Sequence, residues 1–270
     1  MAVKLGELIA IIEKTAPLQL KEAWDNPGLA VGDPEQVIEK VLIGMDVTMG
    51  LIDEANALGA QLILTHHPML FSRPDSVTPQ NLSGRKILAL VKNNLSAYSA
   101  HTNLDKAKMG MNDRLMHLLG FNEWTLLEDP EDGQSEDEGI GRMTTIDPIS
   151  LNELATKVTH ALDLDQVRFA GNPEQIIETV AVINGSGAEF IQGAKEQGIN
   201  CIITGDTKYH EVLDALEDGI CVIDPGHFAS EWKVFQAAMA DVEAEVIKRI
   251  GPVQFIVSES SKDPYQTLRV

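Results

Sequence analysis

Short, continuous apolar runs at residues 41–45, 61–65 and 95–100 read as buried strands of a parallel sheet. Between them the apolar spacing turns helical. Leu51, Ile52, Ala55 and Leu58 share one face over residues 49–58, Gly59 closes that segment, and residues 87–92 form a second helix. The same order returns later in the chain. Residues 180–183, 200–204 and 220–223 read as strands, and 189–196 and 212–216 as helices. Strand, helix, strand implies right-handed crossovers and a largely parallel sheet in each half.

The halves match as sequences as well as patterns. Residues 31–65 lie on residues 170–204 without a gap, and 12 of the 35 positions are identical. Chance at ordinary residue frequencies gives about two or three. Gly32-Asp33-Pro34-Glu35-Gln36 meets Gly171-Asn172-Pro173-Glu174-Gln175, and Ile63 and Thr65 meet Ile202 and Thr204. With changed offsets, Leu5-Gly6-Glu7-Leu8 resembles Leu151-Asn152-Glu153-Leu154, and His101 and Asp105 fall on His227 and Glu231. The first copy therefore carries about 7 extra residues near Trp24 and about 13 between Pro68 and Arg85. Extra loop residues on one copy of a repeat are candidates for function. The expected class is α/β: two similar lobes from an internal duplication, each a mostly parallel sheet flanked by helices, with a metal cleft between them. The expected division is residues 1–127, an acidic linker at 128–139, and a second lobe at 140–270. Residues 128–138 hold seven acids in eleven positions, which reads as a solvated connection.

Composition narrows the function. The 270 residues include 41 acids against 21 bases, a formal charge of −20. That balance argues against a nucleic-acid backbone or an anionic membrane as partner. No apolar run approaches the length of a membrane helix. The first 15 residues, with Glu7 inside a short apolar stretch, lack a signal-peptide pattern, and a cytoplasmic location is expected. Cys201 and Cys221 lie in apolar runs and read as buried thiols.

The chemistry gathers at the strand ends. His66 and His67 directly follow the strand 61–65, where open α/β sheets bind ligands, and form a metal or catalytic candidate. His101 and Asp105, and likewise His227 and Glu231, are four apart, so a helix starting there holds each pair on one face. Imidazoles with carboxylates suit Zn, Fe, Mn, Co or Ni better than Mg or Ca. His66, His67, Asp105, His227 and Glu231 suffice for two such ions per chain if one carboxylate bridges. His101 reads either as an orienting residue or as a proton carrier. Lys208 and His210, in the second copy's loop matching His66-His67, are candidates for substrate binding and proton transfer. Asp46 reads either as an orienter of a histidine or as a helix N-cap. Gly185-Ser186-Gly187 reads either as a phosphate cradle or as a tight turn. His117 and His160 have no charged cluster nearby and read as ordinary positions.

Five motifs in this order resemble the Nif-three-like (YbgI/YqfO-type) family, whose members carry the name GTP cyclohydrolase I type 2 homologue. They are Trp24-Asp25-Asn26-Pro27-Gly28-Leu29, Thr65-His66-His67-Pro68, Ala100-His101-Thr102-Asn103-Leu104-Asp105, Thr204-Gly205-Asp206-Thr207-Lys208-Tyr209-His210 and Gly226-His227-Phe228-Ala229-Ser230-Glu231. The resemblance covers nearly the whole chain. It implies a cytosolic hexamer of two-lobed subunits with a dinuclear metal centre held by His66, His67, Asp105, His227 and Glu231, Glu231 bridging. It also implies a small-molecule substrate: metal-activated water acting on C8 of the guanine ring of GTP. A dimetal hydrolase of another nucleotide or phosphoester, and a non-catalytic metal-binding assembly, share the same donors and remain the alternatives.

Overall fold

A computed structural model describes residues 2–128 and 135–268. The acidic segment 129–134, most of the expected linker's core, lies outside the described residues. Two units divide the chain: residues 1–104 with 235–270, and residues 105–234.

The first unit opens with β1 (Val3–Lys4), α1 (Leu5–Thr15), β2 (Gly28–Val31), β3 (Val37–Ile38), β4 (Lys40–Gly44) and α2 (Met49–Leu58). Next come β5 (Leu62–Thr65), α3 (Leu82–Lys92), β6 (Ser96–Ser99) and α4 (Thr102–Lys106), the last reaching past the unit's edge at residue 104. Strands β4, β5 and β6 run parallel in register, and β2 closes one side antiparallel to β6. Every residue of β5 is buried, which explains the unbroken apolar run. Leu42, Ile52, Ile63 and Leu90 are among the residues of the core that the sheet shares with α2 and α3. Thr48 caps α2 by accepting from the Leu51 amide, and Gly59 ends it in the left-handed region at φ 65°. Helix α3 begins five residues before the pattern predicts, because Asn81 accepts from the Gly84 amide at 2.6 Å and starts the helix there.

The second unit contains α5 (Met111–Leu118), β7 (Thr125–Leu126), β8 (Arg142–Ser150), α6 (Leu151–Ala161), β9 (Arg168–Ala170) and β10 (Ile176–Ser186). It continues with α7 (Ile191–Glu196), β11 (Cys201–Gly205), α8 (Tyr209–Glu217), β12 (Cys221–Asp224) and the start of α9 (His227–Arg249). Strands β10, β11 and β12 are parallel, and β9 closes one side antiparallel to β12. These four strands match β4, β5, β6 and β2 of the first unit. Cys201 and Cys221 face each other across β11 and β12 as buried free thiols, and burial pushes the Cys201 pKa up. Asp137 of the acidic segment pairs with Lys108 at 2.6 Å, and the Gly139 amide donates to the Lys106 carbonyl, so the segment's end is tied to this unit.

The two sheets differ on their remaining flank. In the second unit β8 lies antiparallel against β10. In the first, β13 (Gln254–Val257) lies parallel against β4. The chain's last segment thus belongs to the first unit and not to the contiguous 140–270 lobe that the repeat predicts. The physical reason is the open edge of β4: an unpaired strand edge is left with unsatisfied backbone groups unless something covers it. Beyond β13, Glu54 fastens the segment. It accepts from the hydroxyls of Ser258 (2.6 Å) and Ser260 (2.5 Å) and from the amides of Glu259 and Ser260. Burial alone would raise the Glu54 pKa, but these bonds outweigh it and hold the carboxyl below its usual range. Glu54→Ala is expected to cost on the order of 1 kcal/mol in chemical unfolding, and to open residues after 257 to limited proteolysis while the second unit's peptides stay protected.

Candidate metal-binding groups

The first unit gathers three imidazoles at the carboxyl ends of its strands. His66 and His67 follow β5, and His101 follows β6. The ring centroids lie 5.2 Å apart for His66 and His67, 5.2 Å for His66 and His101, and 5.5 Å for His67 and His101. One nitrogen of each ring lies within 4.8 Å of one nitrogen of the others.

Each ring is oriented from behind by an oxygen. His66 Nδ1 donates to the Ala100 carbonyl at 2.7 Å. His67 Nδ1 lies 2.9 Å from Asp46 Oδ1, and His101 Nδ1 lies 2.9 Å from Asp25 Oδ2. A proton held on Nδ1 leaves Nε2 as the neutral ring's acceptor nitrogen, the arrangement that second-shell oxygens impose on metal-ligating histidines. The helix-cap alternative for Asp46 falls away, since Thr48 fills that role. Lys86 senses the Asp46 charge, which opposes the lowering of its pKa by burial.

Asp25 is the firmest of these anchors. Its buried carboxylate also accepts from the Thr102 hydroxyl (2.5 Å) and amide (3.2 Å) and from the Asn26 amide (2.7 Å). Burial raises its pKa, but the hydrogen bonds from His101 and Thr102 and the His101 charge outweigh that and bring it down to about 2.

The second unit assembles carboxylates around an amide. Asn184, near the end of β10, donates from Nδ2 to Asp105 Oδ1 at 2.9 Å and to Glu231 Oε1 at 3.5 Å. His227 and Glu231 open α9 one turn apart, with Nε2 3.0 Å from Oε2. His227 Nδ1 is held 2.9 Å from Asp206 Oδ2, at the end of β11. Asn112 fixes the frame, donating to the Asp105 carbonyl and accepting from the Asn184 amide, each at 3.1 Å.

Two close-approach glycines shape this group. Gly185 has φ 64°, and a Cβ there would sit 2.1 Å from Glu231 Oε1. A Cβ on Gly205 would sit 2.7 Å from the His227 backbone nitrogen. Gly185-Ser186-Gly187 is therefore a turn that admits the Glu231 carboxylate. Asp224, buried at the end of β12, accepts from the Thr207 hydroxyl (2.6 Å) and the Gly226 amide (2.8 Å). It thereby ties together the residues next to Asp206 and His227.

The donor chemistry fits a divalent ion. Glu231 is buried, and its Oε1 shares the Asn184 amide with Asp105 Oδ1, so a divalent ion bound there would offset two neighbouring negative charges. Asn184 Oδ1 is buried and without a hydrogen-bond partner among the described residues. Imidazole and carboxylate together suit a first-row metal.

Lys208 and His210 are not among the side chains that the hydrogen bonds above join. Both are exposed, and Lys208 is committed to Glu211 on its own helix at 2.9 Å. With Arg168, Phe169, Tyr209 and Leu213, Lys208 lines a cavity of about 330 Å³. His210 packs beside Tyr209, with ring centroids 5.2 Å apart. His117 and His160 are exposed, and His117 stacks edge-on with Trp124. Pattern reading missed Asp25, Asn184 and Asp224, and saw Asp206 only as the residue standing where the first copy has a histidine. A signal existed for Asp206: it precedes His227 by 21 positions, the same interval that separates Asp46 from His67.

Comparison with known proteins settles the family. The Duf34/NIF3 (NGG1p interacting factor 3) family profile matches residues 3–264. This chain belongs to the DUF34/NIF3 family. Among its DUF34/NIF3 relatives, a "GTP cyclohydrolase 1 type 2 homolog" of Clostridium perfringens is 44% identical over 266 residues, covering 97% of this chain and 99% of the relative. A protein of the same name from Clostridium acetobutylicum is 40% identical over 98% of this chain and 99% of its own length. The fold is that of a Bacillus cereus protein related to NIF3, with a TM-score of 0.91 at 24% identity, covering 99% of this chain and 100% of that one. Reduced HcgD from Methanocaldococcus jannaschii aligns with a TM-score of 0.78 at 26% identity, over 96% of this chain and 99% of that one. Among the described residues no helix is long and apolar enough to cross a membrane.

Two outcomes test the geometry of this DUF34/NIF3 chain. Asp25 is more acidic folded, at about 2, than a free aspartate at about 3.9, so its contacts add stability above about pH 4 and lose it as pH falls toward 2. In urea unfolding, the gap between the native chain and Asp25→Asn is expected to narrow from pH 5 to pH 2; a gap independent of pH would refute this. Gly185→Ala forces the Glu231 carboxylate aside, and is expected to weaken zinc binding by about tenfold or more in calorimetric titration, the scale seen when a ligand's support is lost.

Proposed function

We propose that the protein is a metal-dependent hydrolase in which His66, His67, Asp105, His227 and Glu231 hold two divalent first-row ions per chain, with His101 as the neighbouring proton carrier. The observation that carries this reading is the trio of histidines at 5.2–5.5 Å, each with Nδ1 tied to an oxygen. Bound there, such ions would supply Lewis-acid activation of water. The chain's own part is positional. Asp46, Asp206 and the Ala100 carbonyl set the rings of His67, His227 and His66, and Asn184 holds both carboxylates. His101, backed by Asp25, is the group that moves a proton at the reacting atom.

The substrate on this reading is a purine nucleotide. The names of the relatives, with the motif resemblance, support a GTP cyclohydrolase-type reaction, in which one water opens the guanine ring at C8 to a formamide and a second releases that carbon as formate. The −20 charge makes local positive groups necessary for a nucleotide substrate, and Lys208 is the residue proposed to bind it, with His210 as a second proton carrier. The same resemblance supports a cytoplasmic homohexamer.

The test is elemental analysis of untagged protein, followed by formate release from GTP. About two first-row ions per chain are expected, with loss in His66→Ala/His67→Ala and in His227→Ala. His101→Ala is expected to lower formate release by about 100-fold while keeping its metal, the scale of a lost proton-transfer group. Phosphate released in place of formate would move the substrate to phosphoesters. Metal bound with no turnover of GTP or of a phosphoester panel would overturn the hydrolase reading in favour of a metal-binding assembly.

A further inference from the structure

Two loops of the first unit have no counterpart in the repeat. β5 and α3 are joined by residues 66–81, whereas β11 and α8, their equivalents in the second unit, are joined by residues 206–208. The other extra stretch surrounds Trp24. Each of these loops carries a large aromatic side chain to the same imidazole. Trp24 lies 6.0 Å from His101 between ring centroids, with planes at 76°, and Phe71 lies 5.7 Å from it, at 80°.

The rings are placed by their anchored neighbours. Asp25, next to Trp24, is bound to His101 and Thr102. Asn26 Nδ2 donates to the Leu70 carbonyl at 3.0 Å, which fastens the residue before Phe71 to the Trp24 loop. The Asn26 bond thus links the two loops, and both aromatics meet the same imidazole.

Yet neither aromatic is buried: Trp24 is 64% and Phe71 54% exposed. Leaving two such surfaces in water opposes folding, and a loop free to vary would normally bury or replace them. Exposed polar residues stand beside them in sequence, Asn26 by Trp24 and Ser72, Arg73 and Asp75 by Phe71. Isolated aromatics beside a proton carrier suit a planar ring, which every nucleobase offers. Arg73, exposed two residues beyond Phe71, adds positive charge on the same loop for an anionic tail.

We infer that Trp24 and Phe71 form an aromatic subsite that stacks the heteroaromatic base of the substrate against His101. This rests on the purine-nucleotide reading above and adds the residues that select for a flat ring. It also accounts for the confinement of both insertions to the copy that carries the three histidines.

The test is calorimetric binding of guanosine and of GTP to metal-loaded protein, with metal content measured for every variant. Trp24→Ala and Phe71→Ala are each expected to weaken guanosine binding by about tenfold, the scale of one lost base-aromatic stack. Trp24→Phe should restore most of the affinity, and metal content should stay at the native level in all three. Phe71 lies on an exposed loop, so its truncation reads binding even if the Trp24 variants fold poorly. Native protein that binds guanosine while Trp24→Ala and Phe71→Ala bind it equally well would overturn the subsite and leave the nucleotide reading standing. Native protein that ignores purines but binds pyrimidine or nicotinamide nucleosides through Trp24 and Phe71 would support the subsite and remove the purine assignment. Variants that change only the oligomer mass, with no ligand effect, would overturn it in favour of a contact between copies.

Discussion

An imidazole can accept a metal or move a proton in a defined direction only if its other nitrogen is already spoken for. Here that condition is met four times, by Ala100 O, Asp46, Asp25 and Asp206 on His66, His67, His101 and His227. Each supporting oxygen stands at a strand end or on a loop pinned to one, so the rings inherit the rigidity of the sheets. The Asp25 case shows the cost and its offset. A carboxylate taken out of water is destabilised, and it persists because three hydrogen-bond donors meet it and the His101 ring lies 2.9 Å away. Remove the donors, and burial would push the acid toward its neutral form.

The duplication explains how such positions arose twice and then parted. β4, β5, β6 and β2 correspond to β10, β11, β12 and β9, and both units place their polar residues where the parallel strands end. What differs is the residue set on that common frame. His66-His67 in one unit becomes Gly205-Asp206 in the other, so a ring donor is replaced by a carboxylate that orients a ring. Asp46 gives way to Gly185, whose missing side chain makes room for Glu231. One unit has become rich in imidazole, the other rich in carboxylate.

Much of this was legible in the sequence because repetition filters noise. A single apolar run cannot separate strand from helix, but a run that recurs with its neighbours at a fixed offset can. The central strands and their parallel order came from that pattern, and so did the pairing of His101 and Asp105 with His227 and Glu231, whereas His66 and His67 stood out by their place after a strand. β13 was not legible: four residues of modest apolarity carry no sign of which sheet edge they cover, and only the unpaired side of β4 explains their return. Asn184 was not legible either. An asparagine in an apolar strand reads as a defect until two carboxylates are found on its amide. Asp25 stands next to Trp24 in a family-like motif, yet its partners are His101 and Thr102, more than 70 positions away, a contact no local period encodes.

The loops carry a different kind of information. Core positions answer to packing, so their apolar character says little about chemistry. Trp24 and Phe71 answer to nothing in the core, since both keep most of their surface in water. Their loops are nonetheless built with care: Asn26 spans from one to the backbone of the other, and Asp25 fixes the base of the first. Ordering a loop costs about 1–2 kcal/mol per residue in backbone entropy. Loops held at that cost, with their largest apolar side chains exposed beside an oriented histidine, are better explained by a ligand's ring than by the stability of the unit that carries them.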